Sequence, residues 1–154
     1  MNKIQKAFLD KYLGKLNPEQ RKRYQNVAAD YFCADEENAN NCSELILRGE
    51  KTATCSMKYW YESGIEPKPV VGTLLVVTDW EGNPTSIIET TEVSECKFSE
   101  VTPEFAASEG EGDKSLEWWR KAHWDFFSVE CEEQGLTPSS DMLSVLEKFK
   151  VVYP

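Results

Sequence analysis

The chain has 154 residues, of which 40% are hydrophobic and 29% charged, the size and make-up of one globular domain with its own core. A domain of this length buries roughly 70% of its unfolded surface, so it needs neither a disulfide nor a metal to hold together. The formal net charge of −10 argues against tight binding to duplex DNA, which a basic face drives by counterion release. It suits a small or weakly charged partner better.

Leu9, Leu13 and Leu16 predict a short helix, weakened by Gly14. Asn17-Pro18-Glu19 is an N-cap with proline in the first turn, and Tyr24, Val27, Ala28, Tyr31 and Phe32 extend a 3.6-residue pattern. Together they predict a second helix from Pro18 to about Phe32. A third is expected from about Glu36 to Arg48, stopped by Gly49 in the left-handed conformation that glycine adopts freely. Lys51–Ser56 then reads as a strand, Ser56–Ser63 as a helical turn ended by Gly64, and Pro67 to Pro69 as a loop. Thr73–Thr78 is a buried strand. It is joined through Glu81-Gly82-Asn83-Pro84 to a long, bulged strand from Thr85 to about Phe98, which makes a hairpin. Thr102 caps a short helix at Pro103, Glu109–Asp113 is a loop, and Ser115 caps a helix from Leu116 to about Gln134 that Gly135 stops. Met142–Tyr153 closes the chain as a strand. Helices, then strands with an inserted helix, then a last strand make an α+β pattern. The expected arrangement is a small closed barrel with helices outside.

The five cysteines, Cys33, Cys42, Cys55, Cys96 and Cys131, include no C-x-x-C pair, so neither a zinc ribbon nor a thioredoxin motif is predicted. No metal or other cofactor is expected. The first residues lack the apolar stretch of a signal peptide, and no apolar run approaches the roughly 20 residues of a membrane helix. Free thiols then predict a cytoplasmic protein with no membrane partner.

Lys51 and Thr54 are the first site candidates. A lysine acts as a base only when desolvation or a nearby cation lowers its pKa, and a threonine acts as a nucleophile only beside a base. Positions i and i+3 of a strand face opposite ways. To share a pocket with Thr54, Lys51 must lie in the turn before the pleat begins, which Gly49 makes reasonable, or the strand must bulge; otherwise it is a solvated lysine on an exposed strand. The acid loop Glu109–Asp113 either supplies a general acid or base or is simply solvated; it lacks an EF-hand pattern. His123 shares a helix face with Trp119 and Phe127, and the expected role is a hydrogen-bonded histidine at the core's edge. Tyr59, Trp60 and Tyr61 are suited either to stacking on bases or to core packing.

The run Leu45-Ile46-Leu47-Arg48-Gly49-Glu50-Lys51-Thr52-Ala53-Thr54 resembles the signature of the ASCH domain, a helix ending in Gly-x-Lys-Thr-x-Thr. Glu89-Thr90-Thr91-Glu92-Val93, Glu109-Gly110-Glu111-Gly112-Asp113, and Trp119 to His123 with Phe126 and Phe127 are similar to the family's longer bacterial branch. The resemblance implies a PUA-like mixed β-barrel with flanking helices over residues 24–154, preceded by a helical extension over residues 1–23. It implies a partner that is single-stranded RNA or a modified nucleoside. Some members are enzymes, and one is a ribonuclease. One small branch hydrolyses the acetyl amide of N4-acetylcytidine with a Lys, a Thr and a Glu, which correspond to Lys51, Thr54 and Glu109, with Glu111 as the alternative acid. Thr52, Ser56, Tyr59, Glu111 and Asp113 are the expected substrate-binding residues. Ser56 stands where the small amidohydrolases carry Arg.

Overall fold

The computed structural model covers Met1–Pro154. Two helices open the chain: α1 (Lys3–Leu13), capped by Asn2 with Gln5, and α2 (Pro18–Lys22), capped by Asn17 with Gln20. Then come β1 (Val27–Asp30), α3 (Glu36–Leu47), β2 (Ala53–Met57), α4 (Tyr59–Glu62), β3 (Leu74–Thr78) and β4 (Pro84–Lys97). A 3-10 turn, α5 (Pro103–Ser108), α6 (Leu116–Glu133) and β5 (Leu143–Tyr153) complete it.

The helix expected to reach Phe32 ends at Lys22, and Val27–Asp30 is a strand instead. β1 lies parallel to β3, Val27 beside Leu74 and Asp30 beside Val77. The inward side chains Val27 and Ala29 pack beside Leu74, Val76 and Ile87. Pairing with a buried strand thus overrides a weak helical pattern.

The five strands form one sheet in the order β1-β3-β4-β5-β2. The sheet does not close: β1 and β2 are its two edges, which corrects the expected barrel. Every pair except β1–β3 is antiparallel. The long β4 and β5 carry the sheet, with register shifts at Ile87/Ile88 and Thr90/Glu92 that bend it.

β3 shows why its sequence is apolar without alternation. Leu74 and Val76 pack with Leu9 and Tyr12 of α1, while Val77 packs on the other face with Ile46 of α3, Ile88 and Phe149. A strand covered on both faces needs a continuous apolar run. A third cluster joins Ala53 and Met57 of β2 to Phe105, Trp119 and Phe127 of α5 and α6. The edge strand β2 is therefore held on one face by the same helix that supplies the wall of the site.

Candidate functional site

The local order around Lys51 begins with the end of α3. Gly49 has φ +76°, and the backbone N–H groups of Glu50 and Lys51 both donate to the Leu45 carbonyl, at 2.9 and 3.1 Å. This closes the helix and turns the chain back on itself. Lys51 and Thr52 precede β2, which starts at Ala53. Lys51 is thus outside the pleat, and both Lys51 and Thr54 line one cleft of about 250 Å³.

The acid loop closes over this turn. Thr52 donates its backbone N–H to the Ser108 carbonyl at 2.8 Å. Gly110, at φ +71°, lies so close to the Lys51 turn that a Cβ would stand 2.2 Å from the Glu50 carbonyl oxygen. Gly112, at φ +59°, lies as tightly against the Trp118 ring. Two glycines are required for the loop to bring Glu109 and Glu111 onto Lys51.

Lys51 is 2% exposed and has an acceptor for each of its three protons. Nζ donates to the Ala53 carbonyl at 2.8 Å, Glu109 Oε1 at 3.1 Å and Glu111 Oε2 at 3.0 Å. Its nitrogen also sits 5.7 Å from the centre of the Phe32 ring. Burial acts to lower its pKa, but Glu109 and Glu111 outweigh that and raise it above the ordinary ammonium value. Lys51 rests as an ammonium ion and has no lone pair to accept a proton.

Glu109 is the counterpart, 1% exposed. Burial alone would raise its pKa; Lys51, then His123 and Trp119, bring it down to about 2. Trp119 Nε1 donates to Glu109 Oε2, and His123 Nε2 stands 3.2 Å from the same oxygen. His123 Nδ1 is 2.9 Å from the Trp119 carbonyl, so each ring nitrogen faces an oxygen that only accepts. The imidazole stacks on Trp119 at 4.1 Å. Glu109 thus rests as a carboxylate, not as an acid.

The wall and mouth add Phe32, Cys55, Trp118 and Phe126. Burial pushes the Cys55 thiol well up, so it lines the cleft as a neutral group. Cys33 and Cys42, nine positions apart in sequence, bring their sulfur atoms to 3.2 Å, with Glu111 Oε1 at 3.4 Å from Cys42.

Of the expected residues, Lys51, Thr54, Glu109 and Glu111 converge on this cleft. The other four do not line it. Thr52 is exposed, its hydroxyl donating to the Ser108 carbonyl. Ser56 bonds the Tyr61 hydroxyl at 2.6 Å, Tyr59 reaches Gln134, and Asp113 caps the backbone of Ser115. The sequence expectations missed Trp119 and Cys55 and left His123 at the edge of the core. A helix of period 3.6 starting at Ser115 places Trp119 and His123 on one face, but only the folded acid loop reveals that this face holds Glu109.

A family model described as the ASCH domain matches residues 28–153. The chain is similar to the crystallised ASCH domain from Lactobacillus crispatus JV V101. Identity is 55%, the match covers 100% of this chain and 97% of that one, and the TM-score is 0.98. Protein EF3133 from Enterococcus faecalis V583 is 31% identical over 99% of this chain and 90% of its own, with a TM-score of 0.83. No functionally curated protein matches the chain. The chain belongs to the ASCH domain family.

Proposed function

We propose that the cleft binds a modified nucleoside and hydrolyses an amide on its exocyclic nitrogen, as in N4-acetylcytidine. The observation that carries this reading is the convergence of Lys51, Thr54 and Glu109 on one cleft of nucleobase size, walled by Phe32, Trp118 and Phe126. Aromatic walls suit a flat ring, and a buried ammonium beside a carboxylate suits its carbonyl and amino groups.

The resting charges supply the acid and base only after one internal step. Lys51 must lose a proton and Glu109 must gain one, and the two are joined by a 3.1 Å hydrogen bond. Transfer along that bond makes both at once. It is unfavourable while Glu111 also holds Lys51 at 3.0 Å. Glu111 is the more accessible carboxylate, with 16% of its side chain exposed. Substrate that displaces it removes one negative charge from Lys51 and lowers the cost. Lys51 then takes the Thr54 hydroxyl proton as Oγ1 bonds the amide carbon. The carbon–nitrogen bond breaks as Glu109 returns its proton to the leaving amine. Water next cleaves the acetyl ester on Thr54, releasing acetate and a proton.

Incubation of the purified chain with N4-acetylcytidine tests this by following cytidine release. Release is expected from the wild type and is expected to vanish in Thr54→Val, which keeps the side chain's volume, and in Lys51→Ala. No release by the wild type, or equal release by both variants, sinks the proposal.

One observation favours a second reading, a module that holds single-stranded RNA. Residues 1–23 carry Lys3, Lys6, Lys11, Lys15, Arg21, Lys22 and Arg23 against Asp10 and Glu19, the reverse of the chain's overall balance. A salt titration of binding to short single-stranded RNA separates the two, because phosphate contacts weaken steeply with salt.

A further inference from the structure

Three segments meet beside the cleft: the loop after β1 through Cys33, the middle of α3 through Cys42, and the distant acid loop through Glu111; Cys33 and Glu111 line the cleft and Cys42 is buried behind them. Their two sulfurs and a carboxylate oxygen lie within 4.8 Å of one another. The sulfurs are 3.2 Å apart, and Glu111 Oε1 is 3.4 Å from Cys42 and 3.9 Å from Cys33. Cys33 is held at φ +71°, a conformation that is strained for a residue with a Cβ. That turn is what delivers its sulfur to Cys42. We propose that Cys33, Cys42 and Glu111 bind a thiophilic divalent cation, Zn2+ by their chemistry, with the fourth position open to the cleft.

The donor set fits that ion. Zn2+ takes thiolate sulfur at about 2.3 Å and carboxylate oxygen at about 2.0–2.2 Å in a tetrahedron, which sets sulfur and sulfur about 3.8 Å apart and sulfur and oxygen about 3.6 Å apart. The oxygen distances of 3.4 and 3.9 Å bracket that requirement, and the sulfurs at 3.2 Å open by about half an ångström to meet it. Two sulfurs with one oxygen favour zinc over magnesium or calcium. Charge fits as well. Two thiolates and a carboxylate around a dication leave one net negative charge, and the Lys51 ammonium on the other oxygen of Glu111, at 3.0 Å, offsets it. Binding exchanges protons for metal: each thiol releases one proton to solvent as its sulfur bonds the ion. Glu111 needs no reorientation, since Oε1 faces the sulfurs while Oε2 keeps Lys51. The site does not rest on the amide hydrolysis: a metal-bound Glu111 stays on Lys51, so the displacement that hydrolysis requires belongs to the metal-free chain.

The test uses the full chain, reduced and stripped with chelator, then titrated with Co2+ as a spectroscopic stand-in and with Zn2+ in competition. One equivalent per chain is expected, with thiolate-to-cobalt charge-transfer absorption that Zn2+ abolishes. Cys33→Ser, at an exposed position, should fold normally and lose at least about a hundredfold in affinity, since even outer-shell losses cost about 10–100-fold. Cys42→Ser should do the same, while Cys96→Ser leaves binding intact. The proposal is overturned if absorption lacks the thiolate band or survives in Cys33→Ser. It is equally overturned if the reduced wild type takes up no metal and instead oxidises to a Cys33–Cys42 disulfide, two hydrogens lighter by mass.

Discussion

Two hollows of the same volume, about 250 Å³ each, adjoin β2, and they differ in everything but size. The first, beside Thr54, has two fully buried charged side chains in its wall, Lys51 and Glu109. The second, at the Met57 end, is lined by Met57, Cys131, Met142, Leu136 and Leu143, and its charged side chains, Lys58 and Glu62, pair at 3.4 Å where solvent reaches both. Cys131 there rests 3.6 Å from the Met57 sulfur and 3.7 Å from that of Met142. Sulfur contacts of this kind fill irregular gaps in a core at little cost. Burying an ammonium and a carboxylate costs several kcal/mol per ion before their attraction offsets it. Volume therefore does not mark the working site. The clustering of desolvated, fully partnered charges does.

The largest effect expected on that contrast comes from Lys51→Ala. It leaves Glu111 without its cation and Glu109 with only His123 and Trp119 beside it, and denaturant unfolding should show a loss of about 3–5 kcal/mol. A loss below about 1 kcal/mol, the level of an exposed pair, would mean that the cluster is more hydrated than its burial implies.

Acid should act on the first hollow almost as strongly. The Glu109 pKa falls from 4.5 to about 2 on folding, so its contribution is present above 4.5 and lost as pH drops toward 2. For a side chain this fully buried, that shift corresponds to about 3 kcal/mol. Lys51 has the opposite sign: its folded pKa lies above 10.5, so its contribution is full below that value and fades only as pH rises past it. Stability measured against pH should show the acid loss in the wild type and a much smaller one in Glu109→Gln.

Gly110→Ala should cost more than about 1 kcal/mol, because the added Cβ meets the Glu50 carbonyl at 2.2 Å with φ at +71°. Nucleoside turnover should fall with it, since the loop can no longer seat both acids. The smallest effect belongs to the second hollow. Met57→Leu conserves volume and should cost under about 1.5 kcal/mol, with turnover unchanged.

The sequence revealed the parts whose causes are local. Asn17, Thr102 and Ser115 cap helices, and Gly49, Gly64 and Gly135 follow their ends with positive φ. Each depends on a residue's own backbone and polar chemistry. The strand Val27–Asp30 was not legible, because four residues carry too little pattern to outweigh the aromatic positions on either side. Only the buried partner β3 decides it. That the sheet stays open is likewise a property of how β1 and β2 are placed at its two edges, which no local signal encodes. In the site, Gly49 made a turn at Lys51 reasonable, although the strand expected from Lys51 begins only at Ala53. The Cys33–Cys42 meeting was invisible, since their nine-residue spacing matches no local motif and depends on a turn at φ +71°. His123 was ambiguous for a similar reason. Its role depends on Glu109, which arrives from the opposite side of a loop.

The most direct test is to titrate the chain, with its methionine methyls and backbone amides labelled, with N4-acetylcytidine or cytidine and follow chemical shifts by NMR. Shifts concentrated at Thr54, Ala122 and His123, with the Met57 and Met142 methyls unmoved, are what the charged cleft predicts. Shifts at the methionines with the Thr54 and His123 amides unchanged, or no shifts anywhere at saturating nucleoside, would contradict it.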